Sequence, residues 1–273
     1  MSTSYLTEVS TDAARGETAR IFDEIRRLTA GPLVALIYRH LASHPGALEA
    51  LWQGIGPLLA GGELQEQAWG CARDAWVGPV PSLVGAMPAI DTREMARAID
   101  VIDAYNRANP VNYMIVCVVR AAQSAGAGGP VPRRSVAVWT PPPRSGAIAP
   151  IPAMAELPSA VRALVDSFAK AAAPGAPMLV PTLYRHLAHW PALLEVVARE
   201  VQPRLAQAVF APAIRAFQTA IAAAATALVA RHGLGADPLL ATPAMNEVFG
   251  RFGEVIPEMV VVGSFLRRLL REG

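Results

Sequence analysis

Five histidines, two cysteines and one Asn-Pro pair are the residues whose spacing invites a chemical reading. His40 and His44 stand four apart, and His186 and His189 three apart, so each pair shares one face of a helix. A zinc site needs three or four ligands. Leu41 occupies the place that glutamate takes in an HExxH motif, and no acid falls at ligand spacing from either pair. His40 and His186 are therefore read as repeat-derived packing residues, and His44, just before Pro45, as suited to a helix C-terminus. Cys71-Ala72-Arg73-Asp74 has aspartate where a redox helix would carry its second cysteine. Without a resolving thiol no disulfide relay runs, and Cys71 and Cys117 are read as buried structural thiols. Asn109-Pro110 reads as a helix N-cap followed by proline at the first helical position, which is sufficient explanation taken alone. Nucleophile elbow, phosphate-cradling loop and dinucleotide fingerprint are all missing from the sequence, and no metal or cofactor is expected.

The elements that must position these residues repeat. Leu33 to Glu49 reads LVALIYRHLASHPGALE and Leu179 to Glu195 reads LVPTLYRHLAHWPALLE, identical at ten of seventeen positions. Two copies of one helical unit are expected, with domain bounds 1–124 and 158–273. Between them 125–157 is rich in proline and glycine, including Pro141-Pro142-Pro143, and cannot be helical throughout. Its apolar Val136, Val138, Trp139, Ile148 and Ile151 suggest a strap lying across both units. Asp91-Thr92-Arg93-Glu94 is a capping-box pattern, followed by an apolar face at Met95, Ala98, Ile99, Ile102 and Tyr105. Thr242-Pro243 offers a second N-cap, and prolines 45, 110, 191 and 257 are read as corners between short helices. Alternating strand patterns are missing, so an all-α architecture is expected.

The 273 residues include 24 basic and 22 acidic side chains, a net charge of +2, which excludes a strong field for nucleic acid or an anionic membrane. A polar N-terminus without an apolar h-region points to the cytoplasm. The apolar run from Ala216 to Ala230 is shorter than the ~20 residues of a bilayer span, so no membrane segment is expected.

Five ordered segments carry a resemblance: VALIYRHLASHPGAL at 34–48, GPVP at 78–81, AYNRANP at 104–110, LYRHLAHWPALL at 183–194 and FGRF at 249–252. In this order they resemble the group I 2-haloacid dehalogenases over most of the chain. The resemblance implies two pseudo-symmetric helical repeats, related to the peroxidase-like AhpD-type helical fold, with an active site between them and usually a homodimer. In that family an aspartate activates water for direct attack on the halogen-bearing carbon of a small carboxylic acid, an asparagine helps to place the water, and neither metal nor cofactor is used. Asn109 matches the asparagine. Leu183 stands at the aspartate and Thr182 at a neighbouring serine, and no acid occurs between Asp166 and Glu195. Among the positions implied to line the pocket, Leu33 and Leu36 replace aromatics, Asn112 and Phe249 stand where tyrosines are expected, and Gly253 and Pro257 replace branched aliphatics. Ala35 and Phe252 remain. The expectation is a dehalogenase-like hydrolase with a small-molecule ligand between the repeats, in which ordinary haloacid turnover is weak or absent. His186, one turn beyond Leu183, is the candidate substitute base, with Glu254 and Glu258 behind it. The alternatives are a non-catalytic small-molecule binder, or different chemistry on a small acid.

Overall fold

The computed structural model describes residues 4–76, 78–83, 90–126, 139–143 and 146–272. Among them the chain is all-helical, with no strand and two isolated bridges, Tyr5 with Met178 and Lys170 with Leu179. The helices are α1 (Gly16–Leu28), α2 (Leu36–Leu41), α3 (Ala47–Gly61), α4 (Glu63–Ala72), α5 (Thr92–Ala125), α6 (Ser159–Asp166), α7 (Thr182–Leu187), α8 (Pro191–Ala206), α9 (Ala211–His232) and α10 (Pro243–Glu272). One 3-10 turn, Met154–Glu156, precedes α6.

Local signals set several boundaries. Asp91 caps α5, its carboxylate accepting from the Glu94 N–H at 2.8 Å. Thr242 Oγ1 accepts from the Met245 N–H at 3.4 Å at the start of α10, and Pro191 opens α8. Buried Ile21, Phe22, Ile25 and Leu28 form one stripe along α1. Gly62, at φ +79°, ends α3 and leads into α4, and a Cβ there would strike the Trp139 ring. Gly62→Ala is expected to cost about 1–3 kcal/mol, read as a lowered urea midpoint with an unchanged slope.

Two of the expected corners are not corners. Pro110 lies inside α5, one continuous helix of 34 residues, and Pro257 lies inside α10, of 30 residues. Each proline forfeits a backbone bond and costs roughly 3 kcal/mol in a helix interior. The cost is offset because α5 and α10 pack along one another at the centre of the molecule. From Val111 to Val116 every residue of α5 is buried, a helix enclosed on all sides rather than amphipathic. Asn106 Nδ2 donates to Gly263 O at 3.1 Å across the pair. Near Pro110 the Trp69 indole donates to Arg107 O at 2.9 Å, tying α4 to this stretch of α5.

The segment after α5 runs over the helices as a strap in its described parts. Trp139 Nε1 donates to Glu66 at 3.0 Å, Pro143 O accepts from Arg107 at 2.8 Å, and the carbonyls of Ala149 and Pro150 face His186 and His189 at 2.7 and 2.8 Å. Ile148 and Ile151 pack against the core. Val136 and Val138 lie outside the described residues. Helix α9 also departs from expectation: at 22 residues and mean hydropathy 1.5 it is long and apolar enough to cross a bilayer by length and composition. Here Phe217, Ile221, Ala225 and Leu228 form its buried stripe, and Arg231 and His232 at its end meet Glu63.

Candidate active site

A cavity of about 50 Å³ opens where α2, α5, α7 and α10 converge. That is room for a few waters, so a bound organic molecule must displace them and ease the walls apart. Two walls come from equivalent positions of the repeated sequence: Leu33 and Leu179, Ala35 and Pro181, Leu36 and Thr182, Ile37 and Leu183. In each copy an extended residue, Ala35 or Pro181, turns the chain directly into a short helix, so the next two side chains sit over the opening. The third wall is α5, contributing Tyr105, Ala108, Asn109 and Asn112. The fourth is the face of α10 at Phe252, Val255, Ile256 and Met259, spaced three, four and seven apart.

Eight predicted pocket positions thus meet at one cavity: Leu33, Ala35, Leu36, Asn109, Asn112, Thr182, Leu183 and Phe252. Asn109 does not cap a helix, because α5 runs through it, and its half-buried amide lines the opening. Asn112, 2% exposed, accepts a hydrogen bond from Tyr38 at 2.9 Å through Oδ1, while its Nδ2 has no hydrogen-bond partner. Complete burial pushes the Tyr38 hydroxyl above its usual range, so it stays protonated and able to donate. A buried amide donor without an acceptor is costly, and a ligand oxygen would satisfy it.

Four predicted positions lie off the walls. Gly253 turns the other way on α10, toward Val116 and Arg120 of α5, because the lining face of that helix runs through Phe252 and Val255. Phe249 and Pro257 are buried elsewhere on α10. His186 is fully buried behind the wall: its Nε2 donates to Ala149 O at 2.7 Å, which leaves the Nδ1 lone pair toward the Tyr105 hydroxyl at 3.4 Å. Burial holds this imidazole down at about 4, and its only approach to the cavity is through Tyr105. Glu254 is exposed, and Glu258 pairs with Lys170 at 2.5 Å.

Among the described residues no Asp, Glu, Lys, Arg or His lines the cavity. Its one ionisable group is Tyr105, raised above its usual range by burial. The walls therefore offer hydrogen bonds and apolar surface, and no base that is ionised near neutral pH. Among the described residues no three His, Cys, Asp or Glu side chains stand together as a metal site. His40 Nδ1 lies 2.7 Å from Thr7 O and its Nε2 lies 3.4 Å from His44 Nε2. Cys71 and Cys117 are free thiols, half-buried rather than buried as the sequence suggested.

Sequence reasoning missed Val34, Ile37, Tyr105, Ala108, Leu179, Pro181, Val255, Ile256 and Met259 as lining residues. Two signals were available for most of them: the repeat partners of positions already chosen, and the helical period running on from Phe252.

The fold and this site define a helical protein with a small, mostly apolar cavity on two sequence-related walls. No known family profile matches the chain. It is 26% identical over 199 residues to an (R)-2-haloacid dehalogenase of Rhizobium sp. (strain NHG3), covering 70% of this chain and 76% of that protein. The crystal structure of a D-2-haloacid dehalogenase mutant superposes with TM-score 0.66 at 18% identity, over 98% of this chain and 96% of that one. A mutant D-2-haloacid dehalogenase in complex with D-2-CPA gives 0.61 at 18% identity, over 98% and 94%. In sequence and in fold the chain resembles the 2-haloacid dehalogenases.

Proposed function

We propose that this protein is a dehalogenase-like hydrolase that takes a small 2-substituted carboxylic acid into the cavity beside Asn109. The carrying observation is that Asn109 and the unpartnered Nδ2 of Asn112, one turn apart on α5, line a cavity otherwise mostly apolar. Two amide donors suit the oxygens of a carboxylate or an incoming water, and the apolar walls suit the carbon and its substituent. The similarity to haloacid dehalogenases names the substrate class.

The architecture we attach to this reading is two pseudo-symmetric repeats, 1–124 and 158–273, joined by the strap 125–157 in an AhpD-type helical arrangement, working as a cytoplasmic homodimer without a cofactor. The paired wall positions support the pseudo-symmetry. Hydrolysis is slow in this reading, because Leu183 occupies the position of the water-activating aspartate and Tyr105, kept protonated by burial, offers no ionised base to replace it.

The test is chloride release from both enantiomers of 2-chloropropionate, with binding followed separately by calorimetry. Binding that weakens at least tenfold in Asn109→Ala, with chloride release near background, is expected. Turnover matching that of an aspartate-bearing dehalogenase, or binding indifferent to Asn109, would overturn the reading.

A further inference from the structure

The tyrosine-arginine-histidine-leucine stretch occurs once in each sequence copy, and its two arginines converge on one carboxylate. Arg39 Nη1 lies 2.7 Å from Glu8 Oε2 as an ion pair not aligned as a hydrogen bond, and Arg185 Nη1 donates to Glu8 Oε1 at 3.0 Å. The Arg39 side chain is 4% exposed, Arg185 13% and Glu8 20%, so two cations share one anion away from solvent. Buried charges are normally matched, and here one positive charge is left over.

The surplus has an address. Arg39 Nε and Nη2, and Arg185 Nε, are buried without hydrogen-bond partners. The Nε and Nη2 edge of a guanidinium is the planar fork that receives both oxygens of a carboxylate. Burial lowers the proton affinity of Arg39, Glu8 opposes that shift, and the neighbouring Arg185 adds a smaller repulsion.

These side chains line a groove of about 740 Å³ between the N-terminal segment near Tyr5 and Ser10 and the strap from Ile148 to Met154. Leu33, Val34 and Leu36 belong to both the groove and the cavity, so the two spaces stand on opposite sides of one thin wall. We propose that Arg39 and Arg185 form an anion site at this groove, outside the cavity, which takes the carboxylate of a small monoanionic organic acid on the unpartnered edge of Arg39.

The single surplus charge matches a monoanion, and Glu8 already shows that a carboxylate fits between the two guanidiniums. Asp12, Glu156 and Arg26 also line the groove; Arg26 is already paired with Asp23, so the two acids oppose a dianion such as a phosphate ester. Because the unpartnered edge of Arg39 is buried, entry of the acid requires a small local shift, which we assign to the segment that carries Glu8. That segment is held to its surroundings by Leu6 N to Met178 O at 3.1 Å and Val9 N to Arg39 O at 2.9 Å. The site does not depend on what the cavity binds.

The probe is sodium propionate, titrated by calorimetry and by thermal shift against sodium chloride at equal ionic strength. Glu8→Gln removes the resident anion, so propionate is expected to bind about tenfold tighter than to the wild type and to raise Tm by about 5 °C near saturation. The double substitution Glu8→Gln with Arg185→Gln should lose that gain. Arg185→Gln alone, a second route if Glu8→Gln folds poorly, should weaken binding about tenfold. Equal propionate affinity in all four proteins, or a Tm rise that chloride reproduces, would overturn the proposal.

Discussion

Leu183→Asp is expected to raise chloride release from 2-chloropropionate by about 10²- to 10⁴-fold over the wild type. Leu183 is 1% exposed and lines the same cavity as Asn109. A carboxylate there would face the same small cavity as the amide, and no other wall residue among those described supplies an ionised base. Desolvation would raise the new carboxyl above its ordinary value of ~3.9, since no cation lines the cavity to hold it down. Activity should therefore rise with pH and level off once the acid is ionised. Stability should fall by several kcal/mol, the effective cost of a desolvated carboxylate added to the lost leucine packing. Leu183→Asn separates the effects: similar in shape to aspartate but without a base, it should show no gain in rate. A folded Leu183→Asp protein no faster than the asparagine variant would show that Leu183 is not the missing base position.

Acid should unfold the protein in part through His186. Burial lowers this imidazole from 6.5 to about 4, despite the bond from Nε2 to Ala149 O, with His189 and Arg185 adding repulsion. Between those values the unfolded chain binds a proton that the folded protein refuses, so the contribution is whole above pH 6.5 and lost as pH falls toward 4. Roughly 3 kcal/mol should disappear across that window from this one group. His40, also lowered chiefly by burial, acts in the same direction. Urea unfolding at pH 7 and pH 4.5 measures the loss, and His186→Gln should shrink it by most of that amount. Parallel losses in the two proteins would mean that His186 is not the responsible group.

Much of the helical architecture can be read directly. The N-cap at Asp91, the Thr242-Pro243 start and the proline at the head of α8 act within a few residues, and each appears in the structure, although the Glu94 carboxylate bonds Arg97 and Trp190 rather than closing a capping box. Pro110 and Pro257 could not be read this way, since a proline marks a corner only when nothing outside the helix outweighs its local cost. In α5 and α10 the mutual packing of two long buried helices does so. That continuity changes the meaning of Asn109, from a residue explained by capping to an amide on a cavity wall.

The residues alone determine an inventory: an amide at Asn109, a hydrocarbon at Leu183, a repeated Arg-His pair and a shortage of acids between Asp166 and Glu195. Which of these meet was decided by the tertiary structure. Asn109 and Leu183 share a cavity, His186 is turned away to a strap carbonyl, and Glu8 lies between Arg39 and Arg185, separated from the latter by 177 positions. Local patterns record periodicity and capping, whose causes lie within a turn or two. A cavity or a buried charge cluster is made by segments far apart in sequence, and its composition appears only when packing brings them together.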